Sequence, residues 1–448
     1  MRLFGTDGVR GTVNKHPMTP ETVLRIGMAI ATILREKYVR NMILIGKDTR
    51  LSGYLIESAL TSGICSMGMD VTLVGPLPTP GIAFLTRTLR LDAGIVISAS
   101  HNPFQDNGIK FFSSKGFKLP DEIEHKIEEL VRDDALSRKR MHGSEIGKAY
   151  RLDDARGRYI EYIKSTLPKG TTFEGMKIVI DCANGAAYKT TPWLLRELGA
   201  DVISMNDSPD GVNINAGCGS LYLEGLQRAV RLHKADIGIA HDGDADRAIF
   251  SDEKGKIVDG DRIMGMCASE MKLKGLLKKD TVVSTVMSNF GLEKYLEKND
   301  ITMVRTKVGD RYVVEKMLEG GYNLGGEQSG HIIFLDHNTT GDGPITALQV
   351  LNLMKTKNAS LSKLAAEIKL FPQILINIEV KHKSQMKNVP EIEAAIKSAE
   401  KKLSSKGRIL VRPSGTEPKI RVMVEGKDPK LVGKISTYVA KTIRKSLA

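Results

Sequence analysis

Three aspartates alternate with small residues in DGDADR, Asp242 to Arg247. Like charges a few ångströms apart raise one another's pKa, so Asp242, Asp244 and Asp246 converge on one point only with positive charge between them. All-oxygen ligation suits Mg2+ or Mn2+ rather than zinc. The same spacing puts Asp242, Asp244, Asp246 and Glu253 at positions 1, 3, 5 and 12 of an EF-hand loop. Against calcium, Arg247 stands where that loop needs glycine, and the flanks ADIGIA and AIFSD read as strands. A plain acidic turn is the remaining alternative.

Three further stretches could do chemistry. In GIVISASHNPFQDNGIK, residues 94 to 110, an apolar run breaks off into a serine, a histidine and a proline. A Ser-His-Asp hydrolase is a poor reading of Ser100, because an adjacent residue such as His101 usually points elsewhere and the G-x-S-x-G elbow is absent. Ser100 and Asn102 capping a turn before Pro103 is the plainer alternative. In RPSGTEPKIRV, Pro413 and Gly415 shape a turn, Ser414 and Thr416 offer hydroxyls, and Arg412 and Arg421 can close on an anion, a phosphate cradle without a Walker motif. An ordinary Ser-Gly turn between strands would look similar. GGEQSGH offers Glu327 and Ser329 between glycines, a pair suited to sugar hydroxyls and equally compatible with a polar turn.

These residues need elements to position them. Buried strands ending in an aspartate and a turn are expected at 41–48, 176–185 and 235–244, alternating with helical patterns such as PETVLRIGMAIATILREKY. That alternation predicts α/β layers with largely parallel strands, and ligands in such sheets bind beyond the strands' carboxyl ends. With 448 residues, three or four domains are expected. Boundaries near 154, 255 and 368 divide the chain into 1–154 with the Ser100 loop, 155–255 with the acidic loop, 256–367 with the Glu327 loop, and 368–448. The last reads as strand, helix, strand, strand, helix, a small α+β unit.

Composition narrows the partners. The four cysteines, Cys65, Cys182, Cys218 and Cys267, form no CxxC pair and read as small buried hydrophobes. No signal peptide or membrane span is expected, which makes the cytoplasm the default location. The net charge of +13 raises nucleic acid as a partner, and residues 371–448 hold 17 Lys and Arg against 7 Asp and Glu. With one Trp and 5% aromatics there is no stacking platform, so no nucleic acid is expected.

As a set, FGTDGVRG, SASHNPFQDNGIKFF, DGDADR, TKVGDRYV, GGEQSGHIIF, TTGDG and RPSGTEPKIRVMVEG resemble the α-D-phosphohexomutase family, in order along essentially the whole chain. The resemblance implies three related α/β domains plus a smaller α+β C-terminal domain around a central cleft. Ser100 would be phosphorylated, with Asp242, Asp244 and Asp246 holding one Mg2+ together with that phosphate. Arg10 and Lys110 match basic residues near the phosphoserine, and Arg247 follows the metal loop. Glu327 and Ser329 match sugar-hydroxyl contacts; Arg412, Ser414, Gly415, Thr416 and Arg421 match the site for the phosphate that is not transferred.

Gln328 in GEQSGH resembles the family's glucosamine branch. That branch implies D-glucosamine 6-phosphate converted to D-glucosamine 1-phosphate through glucosamine 1,6-bisphosphate, on the route to UDP-N-acetylglucosamine and peptidoglycan. Phosphomannomutase or phosphoglucomutase activity on the same fold is the alternative. The partner would be a small sugar phosphate, with no nucleic acid or membrane, and the chain a monomer or homodimer. Two positions depart from the pattern. Leu221 in GSLYLEG replaces a threonine. His241 replaces an apolar residue and reads as a strand-packing imidazole, with titration beside the metal loop as the alternative.

Overall fold

The computed structural model describes residues 3–5, 7–35, 40–380, 389–413 and 419–447. They form two compact units, Met1–Val286 with Met303–Ala366, and Met287–Thr302 with Glu367–Ala448.

Unit one holds three sheets. The first uses β1 (Val9–Thr12), β2 (Met42–Lys47), β3 (Asp70–Pro76), β4 (Ala93–Ile97), β5 (Asp106–Ser113) and β6 (Ala149–Arg151), in the order β1-β5-β4-β2-β3-β6. The second uses β7 (Lys177–Asp181), β8 (Asp201–Met205), β9 (Ile237–His241), β10 (Ala248–Asp252) and β11 (Ile257–Val258), in the order β11-β10-β9-β7-β8. The third uses β12 (Thr281–Thr285), β13 (Thr302–Thr306), β14 (Leu324–Gly326) and β15 (Ile332–Phe334), in the order β13-β12-β14-β15. The expected strands at 41–48, 176–185 and 235–244 are β2, β7 and β9. All of β4 and β9 is buried, without polar alternation, as in strands covered on both faces.

Largely parallel pairing is corrected to mixed. β2, β3, β4 and β6 run parallel, as do β7, β8 and β9, and β12 with β14. Then β5 returns antiparallel to β4, β10 to β9 and β15 to β14. The Ser100, DGDADR and GGEQSGH loops are therefore the turns of three equivalent hairpins, not strand-to-helix connections. A hairpin fixes its loop by a hydrogen-bonded ladder on each side.

The second unit has β16 (Gln373–Glu379), β17 (Gly407–Pro413) and β18 (Lys419–Gly426), antiparallel in the order β16-β18-β17, with helices Pro390–Leu403 and Pro429–Leu447. This is the expected strand, helix, strand, strand, helix. Helix Phe290–Lys298 belongs to this unit although it lies within the span 256–367. Phe290 N donates to Glu425 Oε1 at 3.1 Å, and its ring meets Phe371 edge-on.

Asp342 ties the three sheets of unit one together. Oδ1 caps helix Gly343–Lys357 by accepting from Ile345 N at 2.8 Å, and Oδ2 accepts from Tyr159 Oη and Asn338 Nδ2, both at 2.8 Å. Asn338 Nδ2 also donates to Pro80 O at 3.1 Å. Burial lifts the Asp342 carboxyl to about 6 against these hydrogen bonds, which lower it. A carboxyl raised in the folded state favours folding while protonated and loses that contribution as pH rises through the folded value. Thermal melts of the parent and Asp342→Asn from pH 4 to 7 should show the variant gaining on the parent, by at most about 3 kcal/mol. A difference that stays constant with pH would refute this.

Candidate active site

Ser100 sits just past β4 with its backbone in the left-handed region, φ +53°. Its hydroxyl donates to Asp242 Oδ2 at 2.6 Å. His101 Nδ1 lies 3.2 Å from the same Oγ, so the expectation that His101 points elsewhere is corrected: the left-handed turn at Ser100 brings the ring back. With the serine proton committed to Asp242, that contact uses the Nδ1–H tautomer. Burial, then Arg247 and Arg10, push the His101 imidazole down to about 4, which makes it a weak base.

DGDADR connects β9 to β10, and strands, not helices, flank it, as expected against an EF-hand. Gly243 permits close approach to the serine loop, since a Cβ there would lie 2.5 Å from Ser100 O. Each aspartate offers one ligand oxygen, all within 4.8 Å of one another and all three residues buried. Asp244 Oδ1 and Asp246 Oδ1 have no hydrogen-bond partner among the described residues. Two orphaned, buried carboxylate oxygens beside a third acid fit a hard divalent cation such as Mg2+.

Lys110 on β5 partly neutralises this cluster. Its Nζ lies 2.7 Å from Asp244 Oδ2 and 3.3 Å from Asp246 Oδ2. Burial raises Asp244, but Lys110 and the Thr79 hydroxyl, 2.7 Å away, outweigh it and hold the carboxyl below its usual range. Asp242 has no lysine against it: burial, then Asp246 and Asp244, raise it well above the carboxylate range, and Arg247 and the Ser100 hydroxyl offset this only in part. Burial lowers Lys110, and Asp244, Asp7 and Asp246 more than restore it, so the ammonium stays charged.

The charges continue into a closed ring. Lys110 Nζ is 3.5 Å from Asp7, which pairs with Lys118 and Arg10. Lys118 Nζ lies 2.6 Å from Asp310 Oδ2. His331 Nε2 is 3.6 Å from Asp310 and 3.9 Å from Asp246, and a proton taken up there closes the circuit. Both His331 nitrogens lack a hydrogen-bond partner among the described residues, as do Arg10 Nε and Arg247 Nε. Buried orphaned guanidinium donors call for an anion.

In the β14–β15 hairpin, Glu327 Oε1 accepts from Gly309 N at 3.1 Å and Oε2 from Ser329 Oγ at 3.3 Å. Burial lowers Arg247, and Asp242, Asp246 and Glu327 raise it, so the carboxylates of two hairpins bear on one arginine. Ser100, Arg10, Lys110, the three aspartates, Arg247, Glu327 and Ser329 thus all belong to unit one. Arg412 and Arg421 belong to the second unit, directly opposite across β17 and β18. Burial and then Arg421 lower Arg412, a pairing of like charges that suits an anion. Ser414, Gly415 and Thr416 lie outside the described residues.

His241 is the core imidazole expected of it. Nδ1 donates to Arg247 O at 2.8 Å and Nε2 lies 3.0 Å from Thr191 Oγ1, so both nitrogens are satisfied while it braces the metal loop. Leu221, the second departure, is exposed. The cysteines are all free, three of them buried. Sequence reasoning passed over Asp7, Lys118, Asp310 and His331. For Asp7, Asp310 and His331 the signal was position inside FGTDGVRG, TKVGDRYV and GGEQSGH; Lys118 lies in none of the motifs, and its partners Asp7 and Asp310 are far away in sequence.

Asp242 carries the repulsion that Lys110 does not reach, so Asp242→Asn should stabilise the metal-free protein by about 1–2 kcal/mol. Added Mg2+ should raise the parent's melting temperature and leave the variant's unchanged. Equal Mg2+ responses in both proteins would put the ion elsewhere.

Among the described residues, no helix is long and apolar enough to cross a membrane. Four family models match the chain: phosphoglucomutase/phosphomannomutase alpha/beta/alpha domain I over residues 1–138, domain II over 157–255, domain III over 259–371 and the C-terminal domain over 375–442. A phosphoglucosamine mutase of Citrifermentans bemidjiense is 58% identical over 427 residues, 95% of this chain and 94% of that protein. A phosphoglucomutase/phosphomannomutase family protein from Burkholderia thailandensis superposes with a TM-score of 0.82 at 23% identity, covering 98% of this chain and 97% of the other. Aspergillus fumigatus N-acetylphosphoglucosamine mutase, solved with GlcNAc-6P and magnesium, gives 0.69 at 19%, covering 100% and 96%. With all four domains matched in order, the chain belongs to the phosphoglucomutase/phosphomannomutase family, the α-D-phosphohexomutases.

Proposed function

We propose that this chain is a phosphoglucosamine mutase, converting D-glucosamine 6-phosphate to D-glucosamine 1-phosphate with Ser100 as the phosphoryl carrier, in the cytoplasm. The observation that carries the reading is a set of buried atoms in unit one without a hydrogen-bond partner among the described residues: guanidinium Nε of Arg10 and Arg247, and carboxylate oxygens of Asp244 and Asp246. Together they complement a phosphate bound to a divalent cation. The amino sugar follows from the 58% identical relative, whose name is phosphoglucosamine mutase. The working domains are 1–154, 155–255, 256–367 and 368–448.

In the first half-reaction the bond from phosphorus to Ser100 Oγ breaks and a bond to the sugar's C1 oxygen forms, with the C1 hydroxyl proton passing to a base. The resulting glucosamine 1,6-bisphosphate turns over in the site. Its C6 phosphoryl group then returns to Ser100 Oγ and the C6 oxygen regains a proton. A Mg2+ held by Asp242, Asp244 and Asp246 would supply charge neutralisation at the transferring oxygens. Lys110, held as a cation, and Arg247 stabilise spread negative charge. His331, with both nitrogens free of hydrogen bonds among the described residues, is placed to take and return the hydroxyl proton. Glu327 and Ser329 orient sugar hydroxyls, and Arg412, Ser414, Gly415, Thr416 and Arg421 hold the phosphate that is not transferred.

Ser100→Ala should lower turnover by more than about 1,000-fold while the melting temperature changes little. Near-parent activity in that variant would remove Ser100 from the mechanism. Rates on glucosamine, glucose and mannose 6-phosphates should rank glucosamine first; a faster mannose or glucose rate would assign the chain to that activity instead.

A further inference from the structure

Arg50 takes part in none of these steps, yet its side chain is fully buried. Its Nε donates to Asp48 Oδ2 at 2.8 Å. Nη1 donates to Pro103 O at 2.5 Å and Asp106 O at 3.1 Å, and Nη2 to Ser100 O at 3.0 Å and Asn102 O at 2.9 Å. One guanidinium thus collects four carbonyls of the nucleophile loop. Asp48 fixes the other side: its Oδ2 accepts from Ser98 Oγ at 2.6 Å, and Ser98 Oγ accepts from Ser100 N at 2.9 Å. Asn215, from the second sheet's domain, donates to Ser100 O at 2.9 Å and to Asn102 O at 3.0 Å, the two carbonyls that Nη2 holds.

We infer that Arg50 is a positioning residue for the reaction: it holds the Ser100 loop in the left-handed turn that aims Oγ at Asp242, and Asn215 docks that loop onto the metal-loop domain. A serine at φ +53° persists only where its surroundings over-determine it. Arg50 supplies that constraint, because without it four inward-turned carbonyls lose a donor. Its planar fork matches this task in a way that a lysine's single ammonium does not. This rests on the reading that Ser100 carries the phosphoryl group.

The test measures single-turnover phosphoryl transfer from full-length protein phosphorylated on Ser100, using whichever of the three hexose 6-phosphates the parent turns over fastest. A wrong sugar assignment then shows in the parent and leaves the Arg50 comparison intact. Arg50→Ala should slow transfer about 100-fold, as expected for misplacement of a reacting atom by about 1 Å. KM should stay within about threefold. Millimolar guanidinium chloride should restore part of the rate, and equal sodium chloride should not. Transfer within about threefold of the parent, a loss confined to KM, or absence of guanidinium rescue in the folded variant would overturn the inference. Should Arg50→Ala fail to fold, Arg50→Lys and Asn215→Ala carry the test: each should slow transfer at least about tenfold, and parent-like rates in both would overturn it.

Discussion

Three buried carboxylates within 4.8 Å of one another are the constraint on which unit one is built. Coulomb repulsion at that spacing is strong wherever water is excluded. The fold answers it unequally. Lys110 reaches Asp244 and Asp246, and Asp242 is left to receive the serine hydroxyl. The cation that relieves two carboxylates is itself desolvated, which draws in Asp7, then Lys118, then Asp310. Each lysine touches more than one carboxylate, so the loss of one acid weakens the pairing around it without leaving its neighbours bare.

Much of this was legible in the sequence, for a physical reason. The strands at 41–48, 176–185 and 235–244 are apolar runs without alternation, and local chemistry alone marks such runs. The aspartate loop announced itself because three carboxylates at alternate positions have few uses. What stayed hidden depends on partners distant along the chain. Asp7 and Lys118 lie 111 residues apart, and Lys118 and Asp310 lie 192 apart. Arg50 was invisible for another reason: arginines are rarely buried outright, so the KDTR turn reads as surface. His101 misled because the usual direction of a neighbouring side chain fails where the backbone turns left-handed.

The mixed sheets also explain what pattern reading could not. A run of apolar residues does not state its direction, so β5, β10 and β15 look like any other short strand. Their antiparallel return makes each functional loop a hairpin turn on the last parallel strand of its sheet. Backbone ladders on both sides then anchor the ends of the Ser100, DGDADR and GGEQSGH loops, while side chains such as Arg50 and His241 fix what lies between.

The ring of charges has a consequence for how such a chain can change over generations. Asp7, Lys110 and Lys118 come from the first sheet's segment, Asp246 from the second, and Asp310 and His331 from the third. No one segment is electrically complete. Recombination that imported a whole α/β module from a distant relative would import half of each pair that crosses segments, Lys110 with Asp244 and Asp246, Lys118 with Asp310 and His331 with Asp246, however well the module folded. Sugar preference in this lineage should therefore drift by exchanges within loops, with the three modules inherited as a single block.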